Sequence, residues 1–211
     1  MGAAGDFVDF DLSPDGTRVA TIRFDERRRS SDLMTLDLST GLLSQVTDDP
    51  TPEGSPIWAP GGDRIAFSSL REGRWRTVVR AVARGADEIV LPSSCSEPLS
   101  WLPDGKSLMC KGVDHLQLWQ SPVSGSRSGF AVANSVGHLP DGRVSPDGSW
   151  FAYSSDRGGQ REISVVPLSR GSAQVPLSLG PGDFPRWRSD GRGLFFVTGR
   201  TVWGVQITSG A

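Results

Sequence analysis

Lysine is almost absent from this chain: of 22 basic residues, only Lys106 and Lys111 are not arginine. A protein kinase needs a strand lysine, a Gly-rich loop, a catalytic-loop Asp and a metal-binding Asp. Neither HRD nor DFG occurs, so kinase chemistry within this sequence is excluded. Histidine is equally scarce. His115 and His138 form no His-x-His or HExxH pair, which leaves no zinc-hydrolase signature and no basis for a Ser-His-Asp triad. They read as surface or loop residues. The GxSxG elbow of a hydrolase is missing, and "SGSRSG" from Ser124 to Gly129 reads as a hairpin turn. Cys95 and Cys110 are the only cysteines, too few for a structural zinc site, and no CxxC is present. A disulfide between them is disfavoured, because the turn at Pro103-Asp104-Gly105 pairs Cys110 with a residue near Leu99, several positions from Cys95. No apolar run approaches the ~18–20 residues of a membrane helix. The opening "MGAAGDFVDFDLSPDG" has no basic n-region and no apolar h-region. The expectation is a soluble chain with no direct membrane contact. A net charge of −2 gives no reason to expect nucleic acid as a partner. No cofactor and no metal are expected.

Turns are abundant instead. Five line up: Pro14-Asp15-Gly16, Pro60-Gly61-Gly62, Pro103-Asp104-Gly105, Pro146-Asp147-Gly148 and Ser189-Asp190-Gly191, with glycines 46, 43, 43 and 43 residues apart. Pro fixes φ, Asp bonds its own backbone and Gly takes positive φ, so each is a connection between two strands. A sixth copy, Pro140-Asp141-Gly142, breaks the register and reads as loop. Gly142 is therefore expected to tolerate a side chain better than Gly105 or Gly148. A short strand precedes each turn, often with Trp: "SPIWAP", "PLSWLP", "FPRWRS". An apolar strand follows ("RIAFSSL", "WFAYSS", "GLFFVTG"), then a third strand and, in most units, a weaker fourth. A period of 40–50 residues with four short antiparallel strands per unit is a propeller blade. The second strands are apolar at nearly every position, as a sheet packed on both faces requires. The expected fold is all-β, a β-propeller of five recognisable blades at approximately 1–52, 53–95, 96–138, 139–182 and 183–211. After Gly191 only 20 residues remain, enough for two strands and not three. The ring is expected to be incomplete, with an open edge on the last blade through which chains can self-associate.

Candidate binding residues are few. Asp9 and Asp11 alternate with Phe10 on the first inner strand, so both carboxylates can share a face. Such a pair could do acid/base work in a central funnel. No further acid recurs at the equivalent positions, which hold Ile57, Ser100 and Arg186, so a capping or loop-binding role is the stronger expectation. Arg27, Arg28 and Arg29 could grip a phosphate or an acidic partner. Asp25, Glu26 and Asp32 partly cancel them, and a polar hairpin loop is expected there in any case. Trp75, set among five arginines between Arg71 and Arg84, could stack on a planar group. Charges that block sheet-to-sheet pairing explain that stretch equally well. Trp58, Trp101 and Trp187 recur at one blade position, which points to packing.

The units resemble the TolB-like, WD-repeat-like propeller blade, whose pattern is roughly "PxWSPDGxxIAFSSxRxG…IYVxxxxxG…LT". "PIWAPGGDRIAFSSLREG" from Pro56 to Gly73 follows it, as does Val144 to Gly159. The order of units, with "GRVSPDGSWFAYSSDRGGQREISVVPL" and then "FPRWRSDGRGLFF", is similar to the propeller that follows the catalytic domain in some bacterial serine/threonine protein kinases. The departures are Gly61 where Asp is usual and "SLMCKG" where "IAFSS" is usual. The resemblance implies a non-catalytic recognition or scaffold module for protein, peptide or a small ligand, working as the sensor or interaction part of such a kinase. The alternatives it leaves open are a TolB-like periplasmic envelope protein, the gating propeller of a serine peptidase, and a funnel-active glycosidase fragment.

Overall fold

The computed structural model describes residues 6–26, 29–83, 88–114, 116–124, 129–133, 141–156, 159–168 and 177–207. Blade 1 comprises β1 (Phe7–Leu12), β2 (Arg18–Asp25), β3 (Ser30–Asp37) and β4 (Leu43–Gln45). Blade 2 comprises β5 (Glu53–Trp58), β6 (Arg64–Arg71), β7 (Arg74–Ala81) and β8 (Glu88–Val90). Blade 3 comprises β9 (Glu97–Trp101), β10 (Ser107–Lys111), β11 (Leu118–Pro122) and β12 (Phe130–Ala133). Blade 4 comprises β13 (Gly142–Val144), β14 (Trp150–Ser155), β15 (Glu162–Pro167) and β16 (Leu177–Pro181). Blade 5 has three strands, β17 (Asp183–Trp187), β18 (Gly193–Thr198) and β19 (Thr201–Gln206). Each sheet is an antiparallel meander in chain order.

The turn chemistry acts as the sequence suggests. All five turns close with the same backbone bond, from the N–H of Gly16, Gly62, Gly105, Gly148 or Gly191 to the carbonyl three residues earlier. All five glycines have positive φ, between 65° and 75°. The Asp15 carboxylate accepts from the Ser13 hydroxyl at 2.6 Å and from the Thr17 N–H at 3.1 Å, and Asp147 accepts from Ser145 and Ser149 in the same way.

The apolar second strands divide their side chains between two neighbours. On β6, Ile65 and Phe67 pack with Ala20, Ile22 and Leu33 of blade 1. Ala66, between them, packs with Leu108 and Cys110 of blade 3. β14 repeats this: Phe151 and Tyr153 face blade 3, and Ala152 faces Leu194 and Phe196 of blade 5. Truncating a fully buried aromatic of this kind to Ala typically costs about 3–5 kcal/mol. The recurring tryptophans are packing elements, and two of the three also bond the preceding blade, whereas the buried Trp58 Nε1 has no partner among the described residues. Trp101 Nε1 donates to the Ile57 carbonyl, and Trp187 Nε1 to that of Arg143.

The inner strands pack in sequence, β1 on β5, β5 on β9, β9 on β13 and β13 on β17. Among the described residues β17 makes no comparable contact with β1. The ring is open. On the free side of blade 1, Phe10 is 76% exposed, and on the free side of blade 5, Val202 is 68% exposed.

Two expectations are corrected. Cys95 and Cys110 do form a disulfide, with their Cα atoms 5.5 Å apart. The turn sets Cys110 opposite Pro98, close to the expected Leu99. The bond, however, does not run along that ladder. The segment after β8 turns back, with the Cys95 N–H on the Pro92 carbonyl, and the Cys95 carbonyl accepts the Thr77 N–H of β7. Cys95 therefore meets Cys110 on the face of β10 that looks toward blade 2, in a cluster with Ala59, Ala66 and Val79. The second correction is Gly142. It is no loop residue but the first residue of β13, and a Cβ there would lie 2.3 Å from Phe151 Cζ.

Candidate functional site

Each inner strand begins at one end of the central channel and runs toward a Pro-Asp-Gly-type turn at the other. The first residues of β1, β5, β9, β13 and β17 therefore surround the mouth remote from those turns. Here β1 and β5 are bulged, between Val8 and Phe10 and between Gly54 and Ile57. The bulged residues Asp9 and Ser55 have positive φ, 65° and 50°. Phe184 takes the same conformation at the β17 bulge. The strain thus belongs to the inner-strand pattern and is not by itself a sign of a ligand.

The bulges aim polar groups across blade boundaries. Asp9 Oδ2 accepts the Ser55 N–H at 2.9 Å, and Asp11 Oδ2 accepts the Trp58 N–H at 2.7 Å. The Ser55 hydroxyl donates in turn to Glu97 Oε1 at 3.1 Å, and the buried Lys111 ammonium holds the same oxygen at 2.8 Å. Ser55 thereby bridges the carboxylates of blades 1 and 3. On the far side of the channel Asp141 accepts Arg143 and Arg186, each at 2.6 Å, and Arg161 pairs with Asp183. Arg143 also donates to the Leu99 carbonyl of blade 3. Burial pushes the Asp9 and Asp11 carboxyls above the usual carboxylate range, against the pull of their backbone hydrogen bonds. Burial likewise lowers the Arg143 guanidinium, opposed by its neighbour Asp141.

Two cavities lie side by side at this mouth. One, of about 160 Å³, is central and lined by Asp9, Asp11, Glu97, Asp141 and Arg143 among others. The second, of about 250 Å³, lies between blades 2 and 3 and is lined by Asp9, Gly54, Ser55, Ser68, Trp75 and Glu97. They share Asp9, Ser55 and Glu97. The structure brings Asp9 and Asp11 together toward blade 2. It places Arg29 apart from them, exposed with positive φ in the β2–β3 hairpin, while Arg27 and Arg28 lie outside the described residues. So do His115, His138 and most of the "SGSRSG" turn. Among the described residues no group of three or more His, Cys, Asp and Glu side chains is arranged to hold a metal ion. No helix among them is long and apolar enough to cross a membrane.

Sequence reasoning missed Glu97, Asp141, Ser55 and Ser68. Glu97 and Asp141 lie at the turn-remote ends of the inner strands of blades 3 and 4, where no repeat motif marks an acid. The exposed Trp75 was singled out, but nothing in the sequence joined it to Asp9.

No protein-family model matches the chain. Among solved structures it is similar to TolB from Acinetobacter baumannii, with TM-score 0.69 and 22% identity over 98% of this chain and 51% of that one. It is similar to a protein assigned as TolB in Agrobacterium tumefaciens, with TM-score 0.71 and 23% identity over 92% of this chain and 70% of that one. A functionally unknown protein of Desulfotomaculum acetoxidans matches with TM-score 0.71 and 13% identity over 99% of this chain and 68% of that one. The chain thus spans about half the length of the Acinetobacter protein. At these identities the similarity concerns the fold: the chain folds as a TolB-like β-propeller.

Proposed function

We propose that this propeller is a non-catalytic recognition module that receives a segment of a protein partner at the turn-remote mouth of its channel. The observation that carries the reading is the pair of adjoining cavities formed by residues of four blades. The acids there are committed to holding blades together: Asp9 to Ser55, Asp11 to Trp58, Glu97 to Ser55 and Asp141 to Arg186. Groups so engaged suit a rigid binding surface better than proton transfer. Rigid scaffolds with loop-lined ends are common places for recognition.

The parent protein is the finer question. The blade order favours the sensor part of a bacterial serine/threonine kinase, and similarity to two TolB-type structures favours an envelope protein. The recognition reading is common to both. It is tested by selecting peptides from a displayed random library on the immobilised chain and mapping them by hydrogen exchange. Protection at Ser55–Ile57 and Glu97–Leu99 is expected. Binders that map only elsewhere, or turnover of ester, peptide or glycoside substrates by the chain, would overturn it.

A further inference from the structure

The cavity between blades 2 and 3 has a specific chemistry. Ser68, Leu70, Thr77 and Trp75 share the face of blade 2 that looks toward blade 3, because Ser68 pairs with Thr77 and Leu70 with Trp75. Ser68 is only 5% exposed, yet it lines the cavity. Among the described residues its hydroxyl makes no hydrogen bond within the chain. Its cross-strand neighbour is Gly54, and a Cβ at that position would stand 3.3 Å from Ser68 Oγ. The missing side chain keeps the hydroxyl open to the cavity. Open to the cavity and without a partner among the described residues, it is free to bond a polar group that enters.

The walls define the occupant. Trp75 is 40% exposed and presents its indole to the cavity. Asp9 and Glu97 contribute two carboxylates. Lys111 neutralises Glu97, but no cation pairs with Asp9 among the described residues. An aromatic face beside a carboxylate with no ion pair of its own favours a cation and repels an anion, although the Arg143 guanidinium of the adjoining cavity offsets part of the Asp9 charge. At about 250 Å³ the space is smaller than the roughly 300–1,000 Å³ of a small-molecule pocket, and suits one long side chain. Thr77, the cross-strand partner of Ser68, is held by Cys95 of the disulfide, whose Sγ lies 3.4 Å from Thr77 Oγ1.

We infer that this cavity binds the guanidinium or ammonium group of an arginine or lysine side chain on a protein partner, against Trp75, with Asp9 and Glu97 as counter-charges and Ser68 as acceptor. The inference rests on reading the channel mouth as a recognition surface.

The test is a titration of the intact chain followed by the ¹⁵N-indole resonances, with Trp75 assigned through Trp75→Leu. The probes are Nα-acetyl-arginine amide, Nα-acetyl-lysine amide, the neutral Nα-acetyl-glutamine amide, and the blocked peptide Gly-Gly-Arg-Gly-Gly. Saturable shifts of the Trp75 indole with the cationic probes only, and tightest with the peptide, are expected. Asp9→Asn keeps the acceptor for Ser55 and tolerates the positive φ, and it should weaken binding about tenfold. Ser68→Ala should weaken it less. No saturable shift, equal shifts with the glutamine probe, or undiminished binding to Asp9→Asn would each overturn the inference. Tighter binding of the free amide than of the peptide would overturn the assignment to a protein side chain in favour of a free amine. If library-selected peptides bind at the mouth of wild type and Asp9→Asn alike, the recognition reading stands and the cationic pocket falls. If the arginine probe binds but no peptide does, the recognition reading falls instead.

Discussion

The Asp11 carboxylate accepts the backbone N–H of Trp58 at 2.7 Å, so one side chain of blade 1 completes the backbone of blade 2. In blade 3 the same place is taken by Ser100, whose hydroxyl accepts the Val144 N–H of blade 4 at 3.1 Å. Polar inner-strand residues thus act as fasteners between blades. Asp11→Ala should destabilise the chain by about 1–3 kcal/mol, because it strands an N–H beside the half-buried channel. Asp11→Asn keeps an acceptor and should lose much less. Denaturant melts of the two variants decide it; equal losses would show that charge, not the hydrogen bond, is what matters at Asp11.

Glu53 makes stability depend on pH in a particular direction. Its carboxyl is buried, and burial raises it to about 7 from an ordinary 4.5, against hydrogen bonds from Thr47 and Leu33 and with help from Asp49 and Asp32. Folded Glu53 therefore keeps its proton where the unfolded chain has lost it. Its contribution is complete below pH 4.5 and is lost as pH rises through about 7, by about 3 kcal/mol in all. Glu53→Gln cannot ionise. Its stability relative to wild type should rise between those pH values and level off above. A difference constant across that range would mean that Glu53 titrates normally.

Gly148 and Gly142 should both resist substitution, for different reasons. At Gly148 φ is +75°, and a Cβ would lie 3.2 Å from Pro103 Cδ. At Gly142 the backbone is ordinary, but the Phe151 ring fills the space. Gly142→Ala should cost about 1–3 kcal/mol as an overpacked core. Phe151→Leu in the same chain should recover part of that loss, and should recover none of the loss from Gly148→Ala. Thermal melts of the single and double variants test this; a harmless Gly142→Ala would contradict the placement of β13.

What the sequence made legible was local. Pro-Asp-Gly acts through the backbone of its own four residues, so the turns and the blade period can be read from spacing alone. The misses are contacts between blades. Cys95 and Cys110 meet because a linker folds back under Thr77, and no ladder argument reaches that far. Gly142 carried the letters of a turn, and only Phe151, brought across the sheet, shows why it is a glycine in a strand. The candidate site gathers Asp9, Gly54, Ser68, Trp75 and Glu97 from three blades. Asp9 and Trp75 were visible one at a time; the unpartnered hydroxyl opposite a glycine exists only once β5 and β6 are in register.

The open ring leaves two unlike surfaces. On blade 1, Phe7, Phe10 and Leu12 pair with Arg23, Thr21 and Val19, the side of the sheet away from Ile22 and blade 2. On blade 5, Phe195 and Val202 lie opposite the face that carries Leu194 and Phe196 against blade 4. All of these apolar side chains are exposed. Beyond them β19 is an edge, paired on one side only with β18, and half of its backbone groups point away from any strand. Such edges template pairing with another chain. The isolated chain should therefore self-associate as concentration rises, by light scattering or sedimentation. Val202→Lys should weaken that association, because a charge on the edge opposes both strand pairing and apolar contact. In hydrogen exchange the outward amides of β19 should exchange far faster than those of Ile65–Phe67, which are buried between two blades. A strictly monomeric chain with β19 amides as protected as those of β6 would show instead that the edge is covered and the ring closes on itself.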